Sequence, residues 1–325
     1  MKAIICKSYG PPSALILEER DSPIPGPKEV LVIVKACGLN FPDTLIIQGL
    51  YQFKPDLPFT PGSDLAGIVK EVGDEVKHLS VGDEVIGFVP FGALAEEAIV
   101  PSNACFLKPK KMDFAVAASF MMAYGTAFHA LKDRGKLKIG EILLVMGASG
   151  GVGLAAVELG KLMGASVIAA ASTYEKLALC AEYGADLTIN YEKQDLKSTI
   201  KELTKNKGAD VIYDPVGGDY SEAAFRGIAW NGRFLVIGFA AGNIPRMPLN
   251  LPLLKGASVV GVFWGGFAMR NSRANMENSL TLMKWYKEGK LKPHIHKIYP
   301  LKDTANALEF MMQRKVRGKL VVEMV

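Results

Sequence analysis

The chain has 325 residues, nearly half of them apolar, a formal net charge of +5 and four cysteines. That length suffices for two domains with separate cores, yet no apolar run is long enough to span a bilayer. Cys6, Cys37, Cys105 and Cys180 are scattered without C-x-x-C spacing, and the lysines are spread along the chain; this points away from a disulfide framework, a zinc knuckle or a nucleic-acid surface.

The opening, Met1-Lys2-Ala3-Ile4-Ile5-Cys6-Lys7, reads as a strand broken at Tyr9-Gly10-Pro11-Pro12. It lacks the apolar core and cleavage site of a signal peptide, so a cytoplasmic protein is expected. The first third carries short strand-like stretches at 30–35, 67–72 and 84–88, separated by Gly-Asp and Pro turns, and predicts a compact β-rich domain. After Ala123 the texture changes. Strand candidates at 142–146, 167–171, 187–190, 211–214, 234–238 and 259–263 alternate with helix-length segments, the pattern of a doubly wound parallel sheet in an α/β domain. From about Met276 a helical run reaches Tyr286, then come a helix at 304–312 and a last strand at 319–323, whose composition suggests a return to the β-rich domain. The expected division is 1–123 with 267–325 for the β-rich domain and 124–266 for the α/β domain.

The most informative stretch is Ile142-Leu143-Leu144-Val145-Met146 running into Gly147-Ala148-Ser149-Gly150-Gly151-Val152-Gly153, with an apolar helix-length run after it. Ala148, Gly150 and Gly153 fit A-x-G-x-x-G. A strand, a bare-backbone turn and a helix N-terminus together hold a pyrophosphate, and the second strand follows at the distance a crossover helix requires. The residues after that strand select the cofactor. NAD sites place an acid there for the ribose hydroxyls, whereas this chain reads Ala170-Ala171-Ser172-Thr173 with Lys176 three residues on. Two hydroxyls and a cation suit the 2′-phosphate of NADPH; the competing reading is an ordinary helix N-cap followed by a solvated lysine.

The order of parts and the Gly-Ala-Ser-Gly-Gly-Val-Gly turn resemble the medium-chain dehydrogenase/reductase superfamily over essentially the whole chain. Within it, the sequence is similar to the zinc-free quinone oxidoreductase (zeta-crystallin-like) branch. The similar segments are Asn40-Phe41-Pro42-Asp43 with Gly49-Leu50-Tyr51, Pro61-Gly62-Ser63-Asp64-Leu65-Ala66-Gly67, Asn190-Tyr191, Asp214-Pro215-Val216-Gly217-Gly218 and Arg317-Gly318-Lys319-Leu320. The resemblance implies a Rossmann nucleotide domain beside a GroES-like catalytic domain. It also implies a homodimer paired through Ser258-Val259-Val260-Gly261-Val262.

Zinc-bearing relatives place a cysteine where this chain has Asn40, a histidine where it has Ser63 and a third ligand near Met122, and these replacements are poor zinc ligands. Without a Lewis acid, alcohol oxidation is expected to be slow, and the acceptor must already be electrophilic. The expected activity is hydride transfer from NADPH to a quinone. The alternatives are an enone, enal or enoyl-thioester reductase and, in another class, an RNA-binding or structural crystallin-like protein. The resemblance places Asn40, Asp43 and Tyr51 at the reaction site, where the Asn40 amide is expected to donate to the substrate carbonyl; capping of a helix near Pro42 is the competing role for Asn40 and Asp43. Cofactor contacts are expected from Thr126, Ser149, Gly150, Gly151, Val152, Ser172, Lys176, Tyr191, Gly238, Phe239, Ala240, Phe263, Trp264, Gly265 and Arg317. Phe263 and Trp264 also fit as plain core residues. His129 fits a satisfied helix histidine better than a proton relay, and no metal cluster can be assembled from the four histidines.

Overall fold

In the computed structural model, which describes residues 1–324, the β-rich unit is organised around one long strand, Glu29–Leu39. Its Val30, Leu31, Val32 and Val34 are buried, as β-branched and apolar residues on a pleated surface should be. At its start this strand pairs with Glu97–Pro101 and at its end with Lys319–Glu323, while Asp64–Val72 runs along its other edge; all three pairings are antiparallel. The sheet has seven strands, extended on one side by Ile295–Pro300 and on the other by Glu84–Phe88 and Cys105–Leu107. Gly38 is required where the strand passes under the chain at Ala118, whose carbonyl oxygen would lie 2.1 Å from an added Cβ.

The second unit holds six parallel strands in the spatial order Leu187–Asn190, Ser166–Ala171, Ile142–Met146, Ala209–Asp214, Ile228–Val236 and Ser258–Gly261. Numbered by sequence within the unit, that order is 3-2-1-4-5-6, the doubly wound arrangement expected. Its central strands read as unbroken apolar runs because helices cover both faces. Leu143, Leu144, Val145 and Met146 are fully buried. The order reverses beside Ile142–Met146, so the glycine turn leaves the sheet at its switch point, where such folds bind ligands.

Contacts along the chain divide it into Met1–Met122 with Pro293–Val325, and Ala123–Lys292. The first boundary falls within a residue of the expected one, whereas the second lies at 292 and not at 266. Helix Ser272–Lys287 accounts for the difference: it buries Leu282 and Met283 within the α/β unit, and β character resumes only at Ile295. Two strand expectations also shift. The fifth strand starts earlier, at Ile228, and the sixth ends at Gly261, so that Phe263 caps the short helix Trp264–Arg270. Among the described residues no helix is long and apolar enough to cross a membrane.

Candidate active site

Strand register in the β-rich unit gathers a charged cluster from three places in the sequence. Gly38 pairs with Asp64 and Leu39 with Leu320, which sets Asn40, Asp64 and Lys319 at one end of three adjacent strands. The Lys319 ammonium donates to the Asn40 side-chain oxygen at 2.5 Å and to the Leu39 carbonyl at 2.7 Å, and lies 3.8 Å from the Asp64 carboxylate. The Asn40 Nδ2 donates to Asp64 at 3.1 Å and to the Gly38 carbonyl at 3.1 Å. Helix Phe41–Ile46 begins directly after Asn40, and the Asn40 backbone N–H donates to the Asp43 carboxylate at 2.7 Å. Asn40, Asp43, Asp64 and Lys319 are all buried.

Burial raises the carboxyls and lowers the amine, as desolvation of charge demands. Asp43 is pushed up to about 7, first by burial, with the neighbouring Asp64 charge adding and the Asn40 N–H and Lys319 opposing. Asp64 is pushed up to about 6 by burial against the pull of Lys319 and the Asn40 amide. Lys319 is lowered by burial, and Asp64, Asp43 and Cys37 oppose that change. The Cys37 thiol is held well above its usual range, first by burial. Tyr51 is half-buried against the same core and is raised by burial and by the Asp43 charge. Two residues on, Phe53 stacks on Phe91 at 5.8 Å, and both rings are exposed. The Ser63 hydroxyl is buried without a hydrogen-bond partner among the described residues.

This geometry corrects one expectation. Both hydrogens of the Asn40 amide are already donated within the protein and its oxygen faces an ammonium, an orientation fixed because only the oxygen can accept. Asn40 is therefore not placed to donate to a substrate carbonyl; it bridges Lys319 and Asp64. For Asp43, the capping role is realised. The donor set also does not suit zinc. An amide, a hydroxyl and the carboxyls of Asp43 and Asp64 lie here with an ammonium among them, and no group of three His, Cys, Asp or Glu side chains able to hold a metal occurs among the described residues.

In the α/β unit, Gly147 adopts φ +56°, and Gly153 passes so close that an added Cβ would lie 2.3 Å from the Gly147 oxygen. Gly150 caps helix Gly151–Leu162, so the N–H groups of Gly151 and Val152 fall in the first turn, where a helix leaves donors without internal partners; Ser149 is buried beside them. Thr173 caps helix Tyr174–Glu182 by accepting from the Lys176 N–H at 3.3 Å, and the Lys176 ammonium donates to Ser172 at 3.0 Å. The N-cap reading and the clustering of Ser172 with Lys176 thus hold together. Tyr191 follows the third strand and lies 4.6 Å from the Tyr220 ring. Gly238, Phe239 and Ala240 run beside the loop after the fourth strand, tied to it by Ala240 N–H donating to the Pro215 carbonyl at 3.0 Å. Thr126 is half-buried on helix Met121–Phe128.

Trp264 is core in its side chain: its indole packs against Gly125 and donates to Asn275 at 3.1 Å, while Phe263 is exposed. His129 is a satisfied histidine, bonded to Asp133 at 2.8 Å and stacked on Phe267. Arg317 belongs to the β-rich unit, exposed, with its backbone N–H on His296. Sequence reasoning assigned no role to Asp64, Lys319 or Cys37, although Asp64 stands in the stretch 61–67 and Lys319 in 317–320, both of which resemble the family. The available signal was a lysine opening an apolar strand.

Comparison with known proteins agrees with this architecture. Residues 26–110 match the alcohol dehydrogenase GroES-like domain and residues 151–285 the zinc-binding dehydrogenase domain. A quinone oxidoreductase-like protein 2 homolog of Nematostella vectensis is 40% identical, covering 99% of this chain and 88% of its own. A quinone oxidoreductase of Escherichia coli, solved with NADPH, superposes with a TM-score of 0.93 at 30% identity over 100% of both chains. A CurK enoyl reductase superposes with a TM-score of 0.91 at 28% identity over 100% of this chain and 99% of its own. The chain belongs to the zinc-free quinone oxidoreductase branch of the medium-chain dehydrogenase/reductase superfamily, and it is an oxidoreductase.

Proposed function

We propose that this protein is an NADPH-dependent reductase that passes hydride to a quinone without a metal. The observation that carries the cofactor half is the Ser172–Lys176 pair at an acid-free strand end, one strand from the glycine turn at the sheet's switch point. NADPH bound there supplies the hydride. The protein's part is to hold the pyrophosphate on the Gly151 and Val152 N–H groups, to meet the 2′-phosphate with Ser172 and Lys176, and to offer Tyr191 to the adenosine side. Thr126 and the backbone at 238–240 and 263–265 are assigned to the nicotinamide side, with Arg317 as a further cofactor contact.

On the acceptor side, the Asn40–Lys319–Asp64 network supports reduction of an already electrophilic carbonyl, because it offers no Lewis acid to acidify an alcohol. The exposed Phe53–Phe91 stack beyond Tyr51 suits a flat ring. An enoyl or enone reductase is the second reading, favoured by the likeness to the CurK enoyl reductase. The test is NADPH oxidation by the purified protein over quinones, enals and enoyl thioesters; turnover of thioesters alone would select the second reading, and turnover with none would defeat both. We assign the assembly as a homodimer through the edge strand Ser258–Gly261, whose Val259 is exposed.

A further inference from the structure

Hydride reduction of a quinone or enone leaves an anion on the acceptor oxygen, and a second proton must come from somewhere. The buried cluster in the β-rich unit has the composition of a proton store. Asp43 and Asp64 oppose one ammonium, Lys319; the remaining groups facing Asp43 are the neutral Cys37 thiol from the long strand and Tyr51 from the loop beyond the helix. With both carboxyls ionised, a buried site carries a net negative charge, which is costly; one added proton neutralises it. Hydrogen bonding decides where that proton sits. Asp64 is held as the carboxylate by the Asn40 amide at 3.1 Å and by Lys319 at 3.8 Å, whereas among the described residues Asp43 accepts only the Asn40 backbone N–H.

We propose that Asp43 carries the proton that completes reduction of the acceptor, and that Lys319, acting through Asn40 and Asp64, is the positioning residue that holds Asp64 as the carboxylate, so that the proton rests on Asp43 and is readily given up. This rests on the reading of residues 40–51 as the reaction site. The acceptor gains two electrons and one proton as hydride; the Asp43 O–H bond then breaks, an O–H bond forms on the acceptor, and the carboxylate regains a proton from solvent. The perturbed titration of the two carboxyls agrees with this order, Asp43 lying above Asp64.

The test uses the full chain with NADPH and a naphthoquinone, comparing wild type with Asp43→Asn, Lys319→Met and Lys319→Arg. Wild-type kcat should be level below about pH 7 and fall about tenfold per pH unit above it. Asp43→Asn, which keeps an acceptor for the Asn40 N–H, should lose roughly 100-fold in kcat at pH 6 and lose that limb while binding NADPH normally. Lys319→Met should move the limb to higher pH, and Lys319→Arg, which keeps the cation, should leave it in place. Infrared titration of the protein alone gives a readout independent of acceptor and of the lysine variants: a buried protonated carboxyl should disappear near neutral pH in wild type and be missing in Asp43→Asn. Absence of that band, or an Asp43→Asn variant with wild-type turnover and pH limb, overturns the proposal. A titrating band in a protein inert toward every acceptor defeats the functional reading instead, and still assigns the buried proton to Asp43.

Discussion

Lys319 and Asn40 are joined by a buried hydrogen bond of 2.5 Å, so a residue of the last strand holds the turn that ends the first long one. The bond makes Asn40 a structural keystone of the cluster. Removing it takes one of two hydrogen-bond acceptors from an ammonium that is already desolvated, and a lost hydrogen bond to a charged group costs about 1.5–3 kcal/mol. Asn40→Ala should therefore lower the denaturation midpoint as well as turnover, whereas Asn40→Gln, which keeps an amide oxygen for Lys319 and an amide N–H for Asp64, should be milder. Chemical denaturation of both variants checks this; an Asn40→Ala protein as stable as wild type would show that the bond contributes nothing.

The Asp43 carboxyl also fixes a pH dependence of stability. Its folded pKa lies near 7, above the unfolded value, so the folded state binds the proton more tightly and stability associated with this group declines as pH rises from about 4 to about 7. Asp43→Asn cannot ionise. The stability of that variant relative to wild type should improve across this interval and then level off, as read by urea midpoints at pH 5, 6, 7 and 8. A constant difference would mean that Asp43 does not titrate there.

For the cofactor, Lys176→Ala removes the cation proposed to meet the 2′-phosphate and should weaken NADPH by roughly 10- to 100-fold while leaving NADH nearly unchanged. Equilibrium titration of nicotinamide fluorescence with each cofactor measures both. Equal losses would remove Lys176 from the selectivity.

Metal independence has a direct check. Quinone reduction should survive exhaustive chelation, and simple primary alcohols with NADP⁺ should give almost no turnover, because amides and hydroxyls do not acidify an alcohol. Chelator-sensitive activity would contradict the assignment.

The edge strand Ser258–Gly261 yields the last expectation. Val259→Lys places a charge on an exposed edge and should turn a dimeric mass into a monomeric one by light scattering at micromolar concentration. A wild-type protein that is already monomeric would end the dimer reading.

Much of this molecule could be read from sequence, and the parts that could not share a cause. The nucleotide-binding strand, glycine turn and helix were legible because their signal is local: apolar run, turn chemistry and helix period follow one another within about twenty residues. The helix Thr304–Met312 and the strand Lys319–Glu323 fell where expected for the same reason. The second boundary was missed because the apolar face of Ser272–Lys287 does not say which unit will bury it. The cluster was half legible. Asn40, Asp43 and Tyr51 lie in one stretch, but their partners come from other strands, and only the register of Gly38 with Asp64 and Leu39 with Leu320 brings them in. With Lys319 unseen, the Asn40 amide looked available to a substrate.

That bond spans 279 residues of chain, which has a consequence for biosynthesis. A ribosome extends the chain at about 5–20 residues per second, so Asn40, Asp43 and Asp64 leave the exit tunnel well before Lys319 exists. During that interval the two acids have no ammonium between them, and the sheet lacks the strand that covers the end of Glu29–Leu39. The α/β unit, whose strands are contiguous in sequence, can complete first. The buried charged cluster is then the last part of the molecule to form, and a ribosome stalled before residue 319 would release a nucleotide-binding unit attached to an unfinished sheet.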